Sequence, residues 1–236
     1  MQSFGMAADP IPVPDAVASL LARPALTSVR ARPNLESWSR WLIGLEGAQA
    51  GLDAVGDEID RSRMCELTDA FITDGEIVSA FVVTMVWGYG GDGRGPFRTR
   101  RVLTGSDDPQ DAPLNDEVVG RLSLAVDVAR RDGAVEGYRY LNRESLGRIK
   151  HLGPAFFTKW LYAATARGDR DHEHAAPVLD ERVLRWINEK TDLRLRHSYT
   201  DDYAAYIGAL ERWGRSATPQ RTTVDVEEAI FNQTGA

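Results

Sequence analysis

The sequence predicts an all-α fold, and three observations carry that prediction. Apolar residues recur at helical spacing through much of the chain, as in Leu35, Trp38, Trp41, Leu42 and Leu45, or Tyr203, Tyr206, Ile207, Leu210 and Trp213. Residues suited to helix starts stand at the heads of such runs, with Asn34 and Asp180 as caps and Pro154 in a first turn. The one stretch rich in β-branched residues, Glu76–Trp87, is too long and too closely flanked by helical segments to be read as a strand.

Taken in order, residues 1–14 are rich in proline and small residues and read as an extended arm. A short helix is expected over Asp15–Leu21, ending near Pro24, and a longer one after Pro33. Gly44, Gly47 and Gly51 argue against helix beyond it. Glu58–Phe71 reads as helical up to Asp74-Gly75, followed by the apolar run Glu76–Trp87 as a buried helix. Residues 102–114 form a polar linker. Asn115–Arg131 is a helix with Val118, Val119, Leu122, Ala125, Val126 and Ala129 on one side, broken at Asp132-Gly133. Helices are also expected over Glu181–Glu189, Asp201–Trp213 and Asp225–Gln233, the last on a more mobile tail.

Composition sets limits on function. The 236 residues, 43% apolar and 27% charged, allow one large domain or two packed lobes. The longest apolar stretch, Ile77–Trp87, is too short to span a membrane. The N-terminus lacks the basic start and long apolar core of a secretion signal. Cys65 is the single cysteine, which excludes an internal disulfide and an all-cysteine zinc or iron–sulfur site, and a reducing cytoplasm is expected. A net charge of −7 argues against nucleic acid, but its distribution weakens the objection. Residues 94–101 carry Arg94, Arg98, Arg100 and Arg101 and no acid, and residues 143–167 carry five cations against Glu144 alone.

The stretch Trp87–Phe97 holds five glycines in eleven positions and reads as a loop. Trp87, Tyr89 and Phe97 offer stacking surfaces beside Arg98, Arg100 and Arg101, a mixture suited to phosphates and unstacked bases. The loop lacks the Gly-Lys-Ser/Thr ending of a nucleotide cradle. The competing reading is a packed loop whose aromatics plug the core. His172-x-His174, among Asp169, Asp171 and Glu173, matches no strong metal spacing and reads as a solvated loop.

Residues 143–186 organise the rest. Two helix-forming runs meet at Leu152-Gly153-Pro154, where Gly153 can take the backbone angles of a tight turn. The second run carries Lys159 at the margin of an apolar arc formed by Phe156, Phe157, Trp160, Leu161, Ala163 and Ala164. A lysine so placed either snorkels to water or opens its amine into a cleft, where desolvation lowers its basicity. Asp180, after Pro177, caps the next helix.

Helix, glycine-containing hairpin, lysine-bearing helix and Pro-Val-x-Asp together resemble the core of the helix-hairpin-helix DNA glycosylases, in particular the 8-oxoguanine (OGG-type) branch. Lys159 falls where that family keeps its Schiff-base lysine and Asp180 where it keeps its catalytic aspartate. This chain departs from the family's Pro-Gly-x-Gly hairpin, having one glycine and then Pro-Ala-Phe-Phe-Thr before Lys159. The resemblance implies a two-lobed helical body over residues 33–215 with its core at 143–190, an N-terminal arm and short helix over 1–32, and a C-terminal helix and tail over 216–236. It implies excision of a damaged or modified base everted from double-stranded DNA by a monomeric protein, with or without strand cleavage through a lysine Schiff base. Oxidised guanine and a modified cytosine in foreign DNA are the substrates considered, the latter in phage defence. The hairpin, with Arg148, Lys150, His151 and Gly153, would hold one strand, with a monovalent cation there as in the family. Some branches of the family carry a four-cysteine iron–sulfur cluster, which this chain with its single cysteine cannot, and no other cofactor or metal is expected. Ala163, Tyr203 and Tyr206 are the further candidates for lining the base pocket.

Two other classes stay open on sequence alone. A non-catalytic DNA-binding protein would use the same hairpin and arginines without needing Lys159 or Asp180. A helical interaction protein would work through its acidic surface and show no DNA affinity even at low salt.

Overall fold

The computed structural model describes residues 13–23 and 30–234, so most of the expected N-terminal arm and the helix stop at Pro24 lie outside the described residues. Among the described residues the chain is all helix, with one isolated bridge between Ala31 and Ile59. Four helices, α1 (Asp15–Leu21), α2 (Leu35–Leu42), α3 (Ala48–Val55) and α4 (Arg61–Thr73), lead to the central α5 (Ile77–Tyr89). Then come α6 (Gly95–Thr104), α7 (Asp116–Asp132), α8 (Ala134–Asn142) and α9 (Pro154–Ala166). The chain ends with α10 (Glu181–Lys190), α11 (Thr200–Ser216) and α12 (Thr223–Gln233).

Helix α5 is where the first half of the fold meets the second. It packs on α3, α4, α6, α7 and α9, and every residue from Ile77 to Val86 is buried. A helix apolar on all sides is stable only when surrounded, and that enclosure overrides the strand preference of its valines. Its hydroxyls are satisfied within the core: Ser79 Oγ donates to the Gly47 carbonyl at 2.8 Å and Thr84 Oγ1 to the Ala80 carbonyl at 3.0 Å. The glycines that argued against helix after Leu42 are instead what lets α3 exist there. A Cβ at Gly51 would lie 2.7 Å from the Ser79 carbonyl oxygen, so glycine permits α3 to rest directly on α5.

Two other expectations need correction. The glycine-rich stretch is a loop only from Gly90 to Arg94; Trp87 and Tyr89 end α5, and Pro96 in the first turn of α6 puts Phe97, Arg98, Arg100 and Arg101 on a helix. The segment before the hairpin is not a helix either. Helix α8 ends at Asn142, and turns connect it to α9. The left-handed residue there is His151 (φ 69°), whereas Gly153 is extended (φ −83°, ψ 169°) and starts α9 by accepting from the Phe156 and Phe157 N–H groups at 2.9 Å. Helices α8 and α9 still pack together, so the helix–hairpin–helix arrangement holds with a longer connection.

Candidate active site

One side chain each from α9 and from the cap of α10 meet at a cleft. Lys159 and Asp180 are both 8% exposed, and Lys159 Nζ lies 3.5 Å from Asp180 Oδ2. The strand-like segment leading to Asp180 is tied down along α9 and α11. Thr165 Oγ1 accepts from the Ala176 N–H (2.8 Å), and Thr158 Oγ1 from the Leu179 N–H (3.2 Å). Tyr203 and Tyr206 donate to the carbonyls of Pro177 (2.9 Å) and Val178 (2.7 Å). Asp180 Oδ1 then accepts from the Arg182 and Val183 N–H groups at 3.0 Å. One carboxylate oxygen caps α10 and the other faces the lysine.

The lysine is fixed from three sides. Its Nζ donates to the Ala155 carbonyl at 3.2 Å and sits 5.3 Å from the centre of the Phe156 ring. Its stem lies against α5 at Gly88, where a Cβ would come within 2.7 Å of Lys159 Cδ. Burial lowers the basicity of this amine below the usual 10.5, even though Asp180 and Glu227 favour its charged form. An amine so placed has an enlarged neutral, nucleophilic fraction.

The cleft has a volume of about 770 Å³, room for a nucleotide. Trp87, Tyr89, Phe156 and Phe231 line it, with Tyr89 stacked on Phe156 at a ring separation of 4.1 Å and 22°. Exposed Arg30, Arg32, Arg94, Arg98 and Arg182 surround its mouth. The floor of the lining holds a buried ion pair, Arg61 Nη1 to Glu227 Oε2 at 2.7 Å, with the guanidinium 5.3 Å from the Trp87 ring and 4.9 Å from Tyr162. Burial pushes the Glu227 carboxyl up, against the pull of Arg61. Arg61 also reaches Glu228 at 3.7 Å, and Arg170 holds Glu228 from the other side at 2.5 Å.

The structure brings together Lys159, Asp180, Trp87, Tyr89 and Arg98, and separates the other sequence candidates from them. Arg100 is only 5% exposed and is spent inside the fold. It donates to the carbonyls of Pro109, Trp41, Ile43 and Ala112, so it is not a DNA contact. Phe97 packs edge-on against Trp41 at 5.1 Å instead of facing the cleft. Ala163, Tyr203 and Tyr206 are fully buried and do not line this cleft; the tyrosines act one step back, on the Pro177–Val178 carbonyls. Arg101, Lys150 and His151 gather around Asp107, and exposed Arg148 stands 3.9 Å from Glu144. Gly153 is exposed, with open space around its Cα.

Sequence reasoning missed Arg61, Phe156 as a cleft wall, and the cleft residues of α12, although it expected a helix there. That helix is no loose tail: Val224, Val226, Glu227 and Ile230 are buried, and it packs on α1, α10 and α11. A signal was present, because Thr222 and Asp225 form a reciprocal capping box, and Glu227 stands among apolar residues at helical spacing. Among the described residues no three His, Cys, Asp or Glu side chains gather as a metal site, and no helix is long and apolar enough to cross a membrane.

No curated protein and no solved structure matches the chain. A family model does, described as "Putative 8-oxoguanine DNA glycosylase OGG-like protein", over residues 25–231. That match takes in both halves of the helical body and every cleft residue named above. The chain therefore belongs to the OGG-like 8-oxoguanine DNA glycosylase family.

Proposed function

We propose that this protein is a DNA N-glycosylase in which Lys159 is the nucleophile and Asp180 the stabilising carboxylate. The observation that carries the reading is the 3.5 Å pairing of a buried amine with a buried carboxylate in an aromatic-walled cleft ringed by arginines. A target nucleotide everted into the cleft would stack against Tyr89, Phe156 and Trp87. As the N-glycosidic bond lengthens, positive charge grows on the sugar and Asp180 stabilises it across a dry site. The neutral Lys159 amine bonds to C1′ while the base leaves with the electron pair of the broken bond, and the amine proton passes to the departing base. Ring opening then gives a Schiff base from which the 3′ phosphate can be eliminated. If water attacks in place of the amine, the same carboxylate orients it and an intact abasic site remains.

For the base itself, Glu227 supports a guanine-derived substrate over a modified cytosine. A carboxylate only accepts hydrogen bonds when ionised. The pairing edge of guanine or 8-oxoguanine offers two adjacent N–H donors, whereas that of cytosine places an acceptor nitrogen beside its amine. Ion-paired with Arg61 and lining the cleft, Glu227 presents acceptor oxygens that suit the first edge and not the second.

The test is single-turnover base release from duplexes carrying 8-oxoguanine, guanine, cytosine or 5-hydroxymethylcytosine. Release of 8-oxoguanine alone supports the whole reading. Release of the modified cytosine moves the substrate and keeps the chemistry. Tight binding without release from any duplex leaves a DNA-binding protein of the same fold.

A further inference from the structure

Two cations and an imidazole converge on one carboxylate beside the hairpin. Asp107, in the loop after α6, receives Lys150 Nζ on Oδ2 at 2.6 Å, and Arg101 Nη2 and His151 Nε2 approach Oδ1 at 3.2 and 3.4 Å. The carboxylate is 72% exposed, and Asp107 makes no backbone hydrogen bond among the described residues. These groups are held better than the anion. Arg101 sits on α6 with its guanidinium 5.6 Å from the Phe97 ring, and His151 is fixed in the left-handed turn with its side chain 15% exposed. His151 Nε2 and Arg101 Nε are both buried without a well-formed hydrogen bond, so the anion in place does not satisfy the donors around it.

This cluster also stands in line with the cleft. Arg94 at the N-cap of α6 and Arg98 and Arg101 within it fall at helical spacing, and the first two line the cleft mouth. On the hairpin side, α9 runs from just beyond His151 to Lys159. A strand whose everted nucleotide enters the cleft would carry a neighbouring phosphate towards Arg101, Lys150 and His151.

We propose that Asp107 occupies, in the free protein, the phosphodiester site that the hairpin residues Lys150 and His151 share with Arg101, as an internal stand-in that DNA must displace. A carboxylate and a phosphodiester each present two anionic oxygens to the same donors, so one can replace the other without rearranging the scaffold. The inference rests on the DNA-binding part of the reading above and not on its chemistry. The exchange holds back attachment to ordinary duplex: every encounter has to release Asp107 before it gains the phosphate.

The experiment measures binding of an undamaged duplex by fluorescence anisotropy across a salt series, for the wild type, Asp107→Asn, Asp107→Ala, Lys150→Ala and the Asp107→Asn/Lys150→Ala double variant. Removing the internal anion should tighten binding about three- to tenfold at low salt. The plot of log affinity against log salt should steepen by about one, as for one more phosphate neutralised. Lys150→Ala should weaken binding and, in the double variant, cancel most of the gain. Asp107→Asn keeps a hydrogen-bond acceptor for the loop, so unchanged or weaker binding in that folded variant overturns the inference while leaving base release untouched as a separate test. Absence of duplex binding by wild type and Asp107→Asn alike, even at low salt, removes both this site and the glycosylase reading.

Discussion

Lys159 and Asp180 are 21 residues apart in the chain and 3.5 Å apart across the cleft. The distance is produced by parts of the protein that touch neither group's reacting end. Gly88 leaves room for the lysine stem, and Thr158, Thr165, Tyr203 and Tyr206 pin the segment that delivers the aspartate. The following predictions separate those contributions.

Gly88→Ala should displace the lysine without unfolding the protein. The added methyl meets Cδ of a flexible side chain at 2.7 Å, which is relieved by moving the lysine and not the backbone. A shift of that size costs about 10- to 100-fold in base release. Thermal unfolding should change little. Normal single-turnover rates in Gly88→Ala would show that the lysine's position is not critical.

Asp180 has two duties that two substitutions can divide. Asp180→Ala removes the acceptor for Arg182 and Val183 and should cost about 1 kcal/mol of stability as well as activity. Asp180→Asn keeps a capping oxygen and should retain the stability, yet lose base release because the charge opposite Lys159 is gone. Equal activity in Asp180→Asn and wild type would reduce Asp180 to a helix cap.

The depressed basicity of Lys159 gives a signed pH dependence. Between its lowered value in the folded protein and the usual 10.5 of the unfolded chain, the unfolded state holds more protons on this amine. Stability therefore gains from this group as pH rises through that window, and Lys159→Gln should flatten that part of a urea-denaturation series. The rate of covalent adduct formation should rise with pH over the same window, with its midpoint below 10.5.

Much of this site was legible in the sequence, and the failures have physical causes. Local pattern showed a lysine at the margin of an apolar helix after a turn and an aspartate at a helix start, and the family resemblance singled out Lys159 and Asp180 from those positions. Charge counting misplaced Arg100, since composition cannot reveal that four carbonyls will converge on one guanidinium. Tyr203 and Tyr206 have the right residue type and the wrong depth: periodicity assigned them to a packed face, and a packed face is where they stay. Glu227 stood out locally only as a charge on an apolar helix face, and its partner, Arg61, is 166 residues away, too far for any local pattern to join the two.

That pair yields a stability prediction. Glu227→Ala leaves the buried Arg61 facing an empty site and should cost about 3–5 kcal/mol in chemical denaturation. Replacing both, as Arg61→Met with Glu227→Leu, should recover most of the loss, since Glu228 keeps Arg170 at 2.5 Å. A double variant as unstable as the single one would mean that Arg61 matters through its rings, Trp87 and Tyr162, more than through its charge.

The central claim is tested most directly by borohydride trapping on a duplex bearing 8-oxoguanine, followed by peptide mass mapping. A reduced Schiff base joins protein to DNA irreversibly and marks the attacking amine. The expected result is a covalent adduct on the peptide carrying Lys159, abolished in Lys159→Gln while that variant still binds the duplex. An adduct that persists in Lys159→Gln, or maps to another residue, contradicts the account.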